Sequence, residues 1–80
     1  MFEQSISLKN INDVYDFVMA VQGINCDIDL STEHRRYIVD AKSIMGVFSL
    51  DLSQPLILRA YTDDQEMIGC LVDAIKEIGR

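Results

Sequence analysis

Hydrophobic and polar residues alternate in two segments of the chain with the period of a half-buried β-strand. The segments are residues 2–8 and 26–30. A polar turn at 31–34 leads into a further run at 35–40, so we expect 26–30 and 35–40 to form an antiparallel hairpin. The apolar positions are Phe2, Ile6 and Leu8 in the first segment and Cys26, Ile28 and Leu30 in the second.

Two longer segments have the spacing of amphipathic helices. The first helix has Asn10 or Asn12 available as its N-cap and ends at Gly23. The last helix opens with capping-box spacing at 62–65 and is expected to stop at Gly79. The apolar stripes are Val14, Phe17, Val18 and Val21 in the first helix, and Ile68, Leu71, Val72, Ile75 and Ile78 in the last.

A short segment at 43–50 is also predicted to be helical, with Ser43 as its N-cap. Its apolar side chains point in nearly every direction, and a helix this short cannot bury all of them. The residues predicted to face the sheet are Ile44, Val47 and Leu50. Met45 and Phe48, three positions apart, are then left at the surface as a small contact patch for a protein partner.

A fourth strand at 56–61 completes the order β-α-β-β-α-β-α. Strands that pair as a hairpin in the middle of the chain, with helices between the others, indicate one antiparallel sheet whose apolar face is covered by helices. The chain of 80 residues has room for one such α+β domain, which we expect to span 1–80.

The charge balance favours protein partners over nucleic acid or a membrane. Thirteen acidic residues against seven basic ones give a formal net charge of −6, which repels nucleic acid and anionic lipid. Arg35 and Arg36 are the only adjacent basic pair. The start of the sequence lacks the pattern of a signal peptide, and no apolar run is long enough to span a bilayer, so we expect a cytoplasmic protein.

The two cysteines, Cys26 and Cys70, are expected to be reduced and buried as small hydrophobic residues. They stand 44 positions apart with no CxxC pair, and His34 is the only histidine. No zinc or iron–sulfur ligand set has the required spacing, so we expect no metal and no cofactor.

No catalytic constellation is present, and we expect the protein not to be an enzyme. His34 lies in a polar turn, where a solvated side chain without a chemical role is expected. Asp27 and Asp29 share one face of the second strand, which we interpret as a solvated sheet face. We expect Arg35 or Arg36, across the hairpin, to pair with these carboxylates.

The segment 42–50, Lys-Ser-Ile-Met-Gly-Val-Phe-Ser-Leu, resembles the regulatory segment of HPr. HPr is the histidine-containing phosphocarrier of the bacterial phosphoenolpyruvate:sugar phosphotransferase system, and the likeness is to its Gram-positive form. The order of elements and Gly23 at the end of the first helix extend the similarity over essentially the whole chain. The resemblance implies an open-faced β-sandwich with strand order 1-4-2-3 and three helices on one side. It also implies that a metabolite-controlled kinase phosphorylates Ser43.

The other motif of that family is missing. HPr proteins place Gly-Leu-His-x-Arg-Pro at the start of the first helix, where the histidine accepts phosphate from enzyme I. Counting back from Phe17, this chain has Leu-Lys-Asn-Ile-Asn-Asp at 8–13, with Asn10 at the histidine position. An amide has no nucleophilic nitrogen lone pair, and the carboxylates of Asp13 and Asp16 would repel the phosphate donor.

Two functions from different classes follow from this comparison. The first is a regulatory protein–protein interaction module without phosphotransfer, similar to the catabolite-repression paralogue of HPr, which also lacks the histidine and keeps the serine. The second is a phosphocarrier component that uses an unrecognised acceptor or competes for enzyme I. A relic domain without a present partner is a third reading. The candidate partners are an HPr kinase, enzyme I and a transcriptional regulator.

Overall fold

The computed structural model describes residues 1–78, which form four strands and three helices in the predicted order. The four strands build one sheet in the order β1-β4-β2-β3, and every neighbouring pair is antiparallel. The α+β open-faced fold and the strand order are thereby confirmed. Gly79, the expected stop of the last helix, lies outside the described residues. The elements are β1 (Phe2–Ile6), α1 (Ile11–Gln22), β2 (Ile28–Thr32), β3 (Ile38–Asp40), α2 (Ile44–Phe48), β4 (Leu56–Ala60) and α3 (Gln65–Glu77).

The hydrophobic core lies between one face of the sheet and the helices. Alternate side chains of the central strands point into it, and the predicted stripe of α1 packs against them. Phe17 is completely buried at the centre, so truncating it to alanine would cost about 3–5 kcal/mol. The core members that carry this packing are Ile28 and Leu30 of β2, Leu56 and Leu58 of β4, Val14, Phe17, Val18 and Val21 of α1, Val47 of α2 and Leu71 of α3.

Helix α2 begins at the predicted N-cap, and its inner and outer faces are as expected. Val47 is fully buried, whereas Met45 is 79% exposed and Phe48 is 40% exposed. A Cβ at Gly46 would lie 3.3 Å from both the Ser43 Oγ and the Val39 Cβ. A glycine therefore lets this short helix approach β3 closely.

Helix α3 begins two residues later than the capping-box spacing predicts. Its N-cap is Asp64, whose Oδ1 accepts hydrogen bonds from the N–H groups of Glu66 at 2.9 Å and Met67 at 3.4 Å. Thr62 instead accepts a hydrogen bond from the Asp64 N–H at 3.1 Å and so stabilises the turn before the helix. A carboxylate at the N-cap also interacts favourably with the positive end of the helix dipole, which explains why Asp64 takes this position.

The prediction that both cysteines are buried is wrong for Cys70. Cys70 is exposed on α3, because Leu71, the next residue, is the one that enters the core. Adjacent helical residues are separated by about 100° around the axis, so both cannot face the sheet. Cys26 is half-buried and packs against the core just before β2.

The third strand is shorter than predicted, 38–40 rather than 35–40. Arg35 has a φ of 56°, in the left-handed region, and lies in the turn after β2. Its N–H donates a hydrogen bond to the Thr32 carbonyl at 2.9 Å, and Thr32 N–H donates to the Tyr37 carbonyl at 3.3 Å. The chain therefore spends 33–37 on the turn and leaves only three residues to pair with β2.

The expected pairing of Asp27 or Asp29 with Arg35 or Arg36 is also wrong. Asp29 lies across the sheet from Arg59 of β4, and its carboxylate is 3.8 Å from the guanidinium of Arg59. Arg35 reaches Glu3 instead, at 3.9 Å. The reason is the strand order, because β4 inserts between β1 and β2 and brings its arginine closer than the hairpin turn does.

Candidate functional site

The N-terminus of α1 is closed by two of its own side chains. Asn10 has extended backbone angles as the N-cap, and its Oδ1 accepts a hydrogen bond from the Asp13 N–H at 2.9 Å. The Asp13 Oδ2 in turn accepts a hydrogen bond from the Lys9 N–H at 2.9 Å. The two side chains thus satisfy backbone donors in a reciprocal arrangement similar to a capping box.

This closure decides what the start of α1 can do chemically. Asp13 is only 7% exposed, so its carboxylate is held in the first turn, where the positive end of a helix dipole favours an anion. A phosphoryl group brought to Asn10 would meet this negative charge at close range. The Asn10 amide offers no nucleophile to take up the phosphoryl group. The arrangement stabilises the start of α1.

Ser43, the second predicted site residue, is the N-cap of α2. Its Oγ accepts a hydrogen bond from the Gly46 N–H at 3.2 Å, and the side chain is exposed. The hydroxyl is therefore both a structural cap and accessible from solvent. Met45 and Phe48 extend from the same short helix into solvent beside it.

Helix α1 adds three exposed apolar residues that the sequence analysis did not identify. Ile11, Tyr15 and Met19 are 65%, 53% and 58% exposed. They recur every four residues and so form a stripe on the outer face of α1. That spacing is visible in the sequence. The sequence analysis considered only the apolar residues expected to face the core of the same helix, and so it did not identify this second, exposed stripe.

The stripe leads towards the start of α2. Gln22, seven positions after Tyr15, donates a hydrogen bond from its Nε2 to the Lys42 carbonyl at 2.7 Å. The Lys42 Nζ donates to the Ile24 carbonyl at 2.6 Å. These two bonds tie the end of α1 to the residue before the Ser43 cap. We call the exposed apolar residues of both helices the α1–α2 surface; its members are Ile11, Tyr15, Met19, Met45 and Phe48.

His34, the only histidine, lies elsewhere, exposed in the turn between β2 and β3. Because it belongs to another part of the fold, it does not take the place of a histidine at Asn10. Among residues 1–78 there is no group of three or more His, Cys, Asp or Glu side chains placed to hold a metal ion. In the same range, no helix is both long enough and apolar enough to cross a membrane.

Solved structures similar to this chain share one fold. HPr-C-His from Thermoanaerobacter tengcongensis matches with a TM-score of 0.73 and 34% sequence identity, over 96% of this chain and 93% of that chain. The HPr dimer from the same organism matches with a TM-score of 0.62 and 30% identity, over 96% of this chain and 95% of that chain. The phosphocarrier protein HPr from Bacillus anthracis str. Ames has a TM-score of 0.66 and 24% identity, over 92% of this chain and 95% of that chain.

No protein-family profile matches the sequence, and no curated protein sequence matches it. The similarity to the solved structures nevertheless extends over nearly the full length of both chains and reaches 34% identity. The sheet order β1-β4-β2-β3 and the three helices agree with it. On this combination of topology, coverage and sequence identity, the chain belongs to the HPr family.

Proposed function

We propose that this protein is a regulatory interaction module of the sugar phosphotransferase system or of carbon catabolite control, with no catalytic activity of its own. It acts by docking on protein partners through the α1–α2 surface rather than by carrying phosphate on a histidine. Three candidate partners follow from the family: enzyme I, an HPr kinase and a transcriptional regulator.

The observation that carries this proposal is the exposure of large apolar side chains on two neighbouring helices. Met45 is 79% exposed, and Tyr15, Met19 and Ile11 are each more than half exposed. Methionine and aromatic side chains are enriched at the centres of protein interfaces, where a few of them supply most of the binding energy. Exposing them without a partner brings no gain in folding stability.

The start of α1 supports docking over phosphate transfer. A phosphocarrier needs a nucleophile and a site whose charges and backbone N–H groups stabilise a phosphate dianion. Asn10 supplies no nucleophile, and the buried carboxylate of Asp13 already occupies the first turn. An apolar docking surface requires neither feature, so the change at Asn10 leaves it intact.

Ser43 is proposed as the switch of this surface. A phosphate on its exposed hydroxyl would place about two negative charges at the start of α2, next to Met45. Partners with acidic surfaces would then be repelled, and partners that present arginine would bind more tightly. The capping bond to the Gly46 N–H exists without phosphate, so the switch changes the surface and leaves the fold in place.

The test measures binding of the purified protein to each of the three candidate partners by isothermal titration calorimetry. Met45→Asp should weaken binding by about tenfold or more, because it places a charge in an apolar contact. Ile38→Asp is the matched control, since Ile38 is also an exposed apolar residue, 56% exposed, but lies on β3. Ile38→Asp should change the affinity by less than about twofold.

Equal effects of the two substitutions would mean that added charge, and not the α1–α2 surface, determines binding. Absence of binding to all three proteins would contradict the proposal that they are partners of this chain. A variant with Tyr15→Asp extends the test to α1 and should lower affinity in the same direction as Met45→Asp.

A further inference from the structure

Strand β1 forms one edge of the sheet and is bonded to β4 on one side. Among residues 1–78, no strand pairs with its other side. The opposite edge strand, β3, has three residues and contacts α2, whereas β1 has five residues. β1 is therefore the longer of the two edges, and it belongs to neither helix of the α1–α2 surface.

The backbone groups that β1 leaves free can be identified from one hydrogen bond. The N–H of Tyr61, directly after β4, donates to the Asp27 carbonyl at 2.9 Å, so the backbone groups of Tyr61 point to the β2 side. Backbone groups alternate sides along a strand, and those of the even-numbered β4 residues therefore point to β1. These residues pair with the even-numbered residues of β1. The N–H and C=O groups of Glu3 and Ser5 consequently point away from the sheet.

This outward side of β1 lacks the features that usually keep sheet edges apart. Natural edges carry lysine, proline or a bulge that prevents another strand from adding. β1 has the sequence Phe-Glu-Gln-Ser-Ile, and its pairing with β4 is regular. Its single charge, the Glu3 carboxylate, already faces the guanidinium groups of Arg59 at 2.8 Å and Arg35 at 3.9 Å. The edge therefore presents free backbone groups beside a compensated charge.

Gln4 is the residue of β1 that the fold of one chain does not explain. It is half-buried and lies opposite Leu58 of β4, on the face of the sheet that the helices cover. Its side chain makes no hydrogen bond within residues 1–78. A carboxamide both donates and accepts, so it can pair with an identical carboxamide. A single polar residue in an apolar seam fixes the register of paired helices in the same way.

An antiparallel pairing of two β1 strands centred on Gln4 matches every position. Phe2 then faces Ile6 of the second copy, Glu3 faces Ser5, and the two Gln4 side chains face each other. Glu3 and Ser5 are also the residues whose backbone groups point outward, so they exchange N–H···O=C bonds in this register. Sliding the strands by two residues in one direction places the two Glu3 carboxylates opposite each other. Sliding them in the other direction places Gln4 opposite Ile6.

We propose that a second copy of this chain adds its β1 antiparallel to this edge, so that the two sheets become continuous and the two-fold axis passes between the Gln4 side chains. The proposal does not depend on the docking function. The formal net charge of −6 on each chain opposes association, so higher ionic strength should strengthen it. Because the strand pair is short, the dimer should form at a chain concentration of about 0.1–1 mM.

The experiment measures the mass of the full chain by sedimentation velocity from about 10 µM to about 1 mM, in buffers of about 0.05 M and about 0.5 M salt. Ser5→Pro removes an outward N–H and leaves the bonds to β4 in place, because an edge strand tolerates proline where its N–H faces solvent. It should raise the dissociation constant of the dimer by about tenfold or more. Ser5→Ala keeps the N–H and should change that constant by less than about twofold.

A second variant tests the contact on the two-fold axis without changing the backbone. Gln4→Glu places two carboxylates opposite each other and should raise the dissociation constant by about tenfold or more at low salt, and by less at high salt. Gln54→Glu is the matched control, since Gln54 is exposed in the loop before β4 and lines a cleft with Tyr37 on the β3 side. It should change the constant by less than about twofold. Circular dichroism verifies that each variant is folded.

Three results would overturn the proposal. The first is a chain that stays monomeric at about 1 mM in both buffers, which would leave β1 as a free edge. The second is a dimer that Ser5→Pro and Gln4→Glu affect no more than their controls do, which would place the second copy elsewhere. The third is a dimer that Met45→Asp dissociates while both β1 variants retain it, which would place the second copy on the α1–α2 surface.

Discussion

Asn10 and Asp13 stabilise the start of α1 through a hydrogen bond of 2.9 Å from the Asp13 N–H to the Asn10 Oδ1. Asp13 returns the interaction by accepting a hydrogen bond from the Lys9 N–H, also at 2.9 Å. An asparagine cap of this kind contributes about 1 kcal/mol relative to alanine. At the position where we expect a phosphocarrier of this family to have its histidine, this chain has an asparagine that caps a helix.

The first prediction is that the protein accepts no phosphate on nitrogen. After incubation with phosphoenolpyruvate and enzyme I, we expect no acid-labile, base-stable phosphoryl group, because Asn10 has no nucleophilic nitrogen and Asp13 repels the donor. The control is a phosphocarrier HPr treated in parallel and measured by mass spectrometry. A phosphoryl group of that stability on this chain would contradict the prediction and restore the phosphocarrier alternative.

The second prediction concerns Ser43. Incubation with an HPr kinase and ATP should place one acid-stable phosphate on the wild type and none on Ser43→Ala, because the hydroxyl is exposed at the start of α2. Ser49→Ala is the matched control, since Ser49 caps the other end of α2 and is also exposed. Equal incorporation by wild type and Ser43→Ala, or none by either, would leave Ser43 as a helix cap alone.

The third prediction is that Arg59 stabilises the fold far more than its ion-pair partner Glu3 does. Arg59 is 5% exposed and donates to the Glu3 Oε2 at 2.8 Å and to the Ser31 Oγ at 3.0 Å. Arg59→Met should lower the free energy of unfolding by about 2–4 kcal/mol, because it leaves the poorly solvated carboxylate of Asp29 without a nearby positive charge.

Glu3→Gln is the control in urea denaturation and should cost about 1 kcal/mol or less, since the Glu3 side chain is 48% exposed. Similar losses from both variants would show that the contact between Arg59 and Glu3 accounts for the whole effect. An Arg59→Met variant as stable as the wild type would show that the Asp29 carboxylate does not need the positive charge of Arg59.

The fourth prediction is that Tyr61 ionises at a higher pH than an ordinary tyrosine. Its hydroxyl donates a hydrogen bond to the Asp29 Oδ2 at 2.6 Å, and this bond to the neutral phenol is the main cause that raises the pKa of Tyr61. A pKa raised in the folded state means that the contribution to stability is complete below the ordinary tyrosine pKa of about 10. The contribution is lost as the pH rises through the folded pKa.

An ultraviolet titration that compares wild type with Tyr61→Phe isolates the signal of this tyrosine from those of Tyr15 and Tyr37. Asp29→Asn should lower the pKa of Tyr61, because it removes the negative charge and weakens the hydrogen bond. If Asp29→Asn leaves the pKa of Tyr61 unchanged, the hydrogen bond from Tyr61 to Asp29 does not persist in solution.

The fifth prediction is that Cys70 reacts much faster than Cys26 with a polar thiol reagent in the native protein. Cys70 is exposed on α3, whereas Cys26 is half-buried against the core. We expect a fast phase of one thiol per chain that Cys70→Ser removes and Cys26→Ser retains. A fast phase that depends on Cys26 would contradict the packing of the segment before β2.

Local periodicity was sufficient to predict the elements that have one strongly apolar side. The stripe of α1 around Phe17 and the cap Ser43 were predicted directly, because helix spacing and capping depend on residues within four positions of each other. The sequence left Asn10 and Asn12 as alternative caps of α1, and the structure has Asn10. The exposure of Met45 and Phe48 followed from the excess of apolar side chains on a helix of five residues.

The errors arose where the answer depends on residues far apart in the chain. The partner of Asp29 is Arg59, 30 positions away, and no local pattern places β4 between β1 and β2. The error at Cys70 is different, because Leu71 belongs to the predicted stripe of α3 and Cys70 lies about 100° away from it around the helix axis, so helical spacing alone argues against burial of Cys70. The left-handed turn at Arg35, which shortens β3, was likewise not predicted, because the pattern of residues 35–40 is that of an extended strand.

The sequence alone thus determined the α+β class and the order of its elements, because both follow from residue types and short-range spacing. Tertiary structure alone decided which exposed residues share a surface and which charges meet. The helix that carries Ile11, Tyr15 and Met19 is linked to the residue before the Ser43 cap by the hydrogen bond from Gln22 to Lys42. The physical reason is that side-chain burial and charge pairing depend on distances in space, which the packing of helices on the sheet creates.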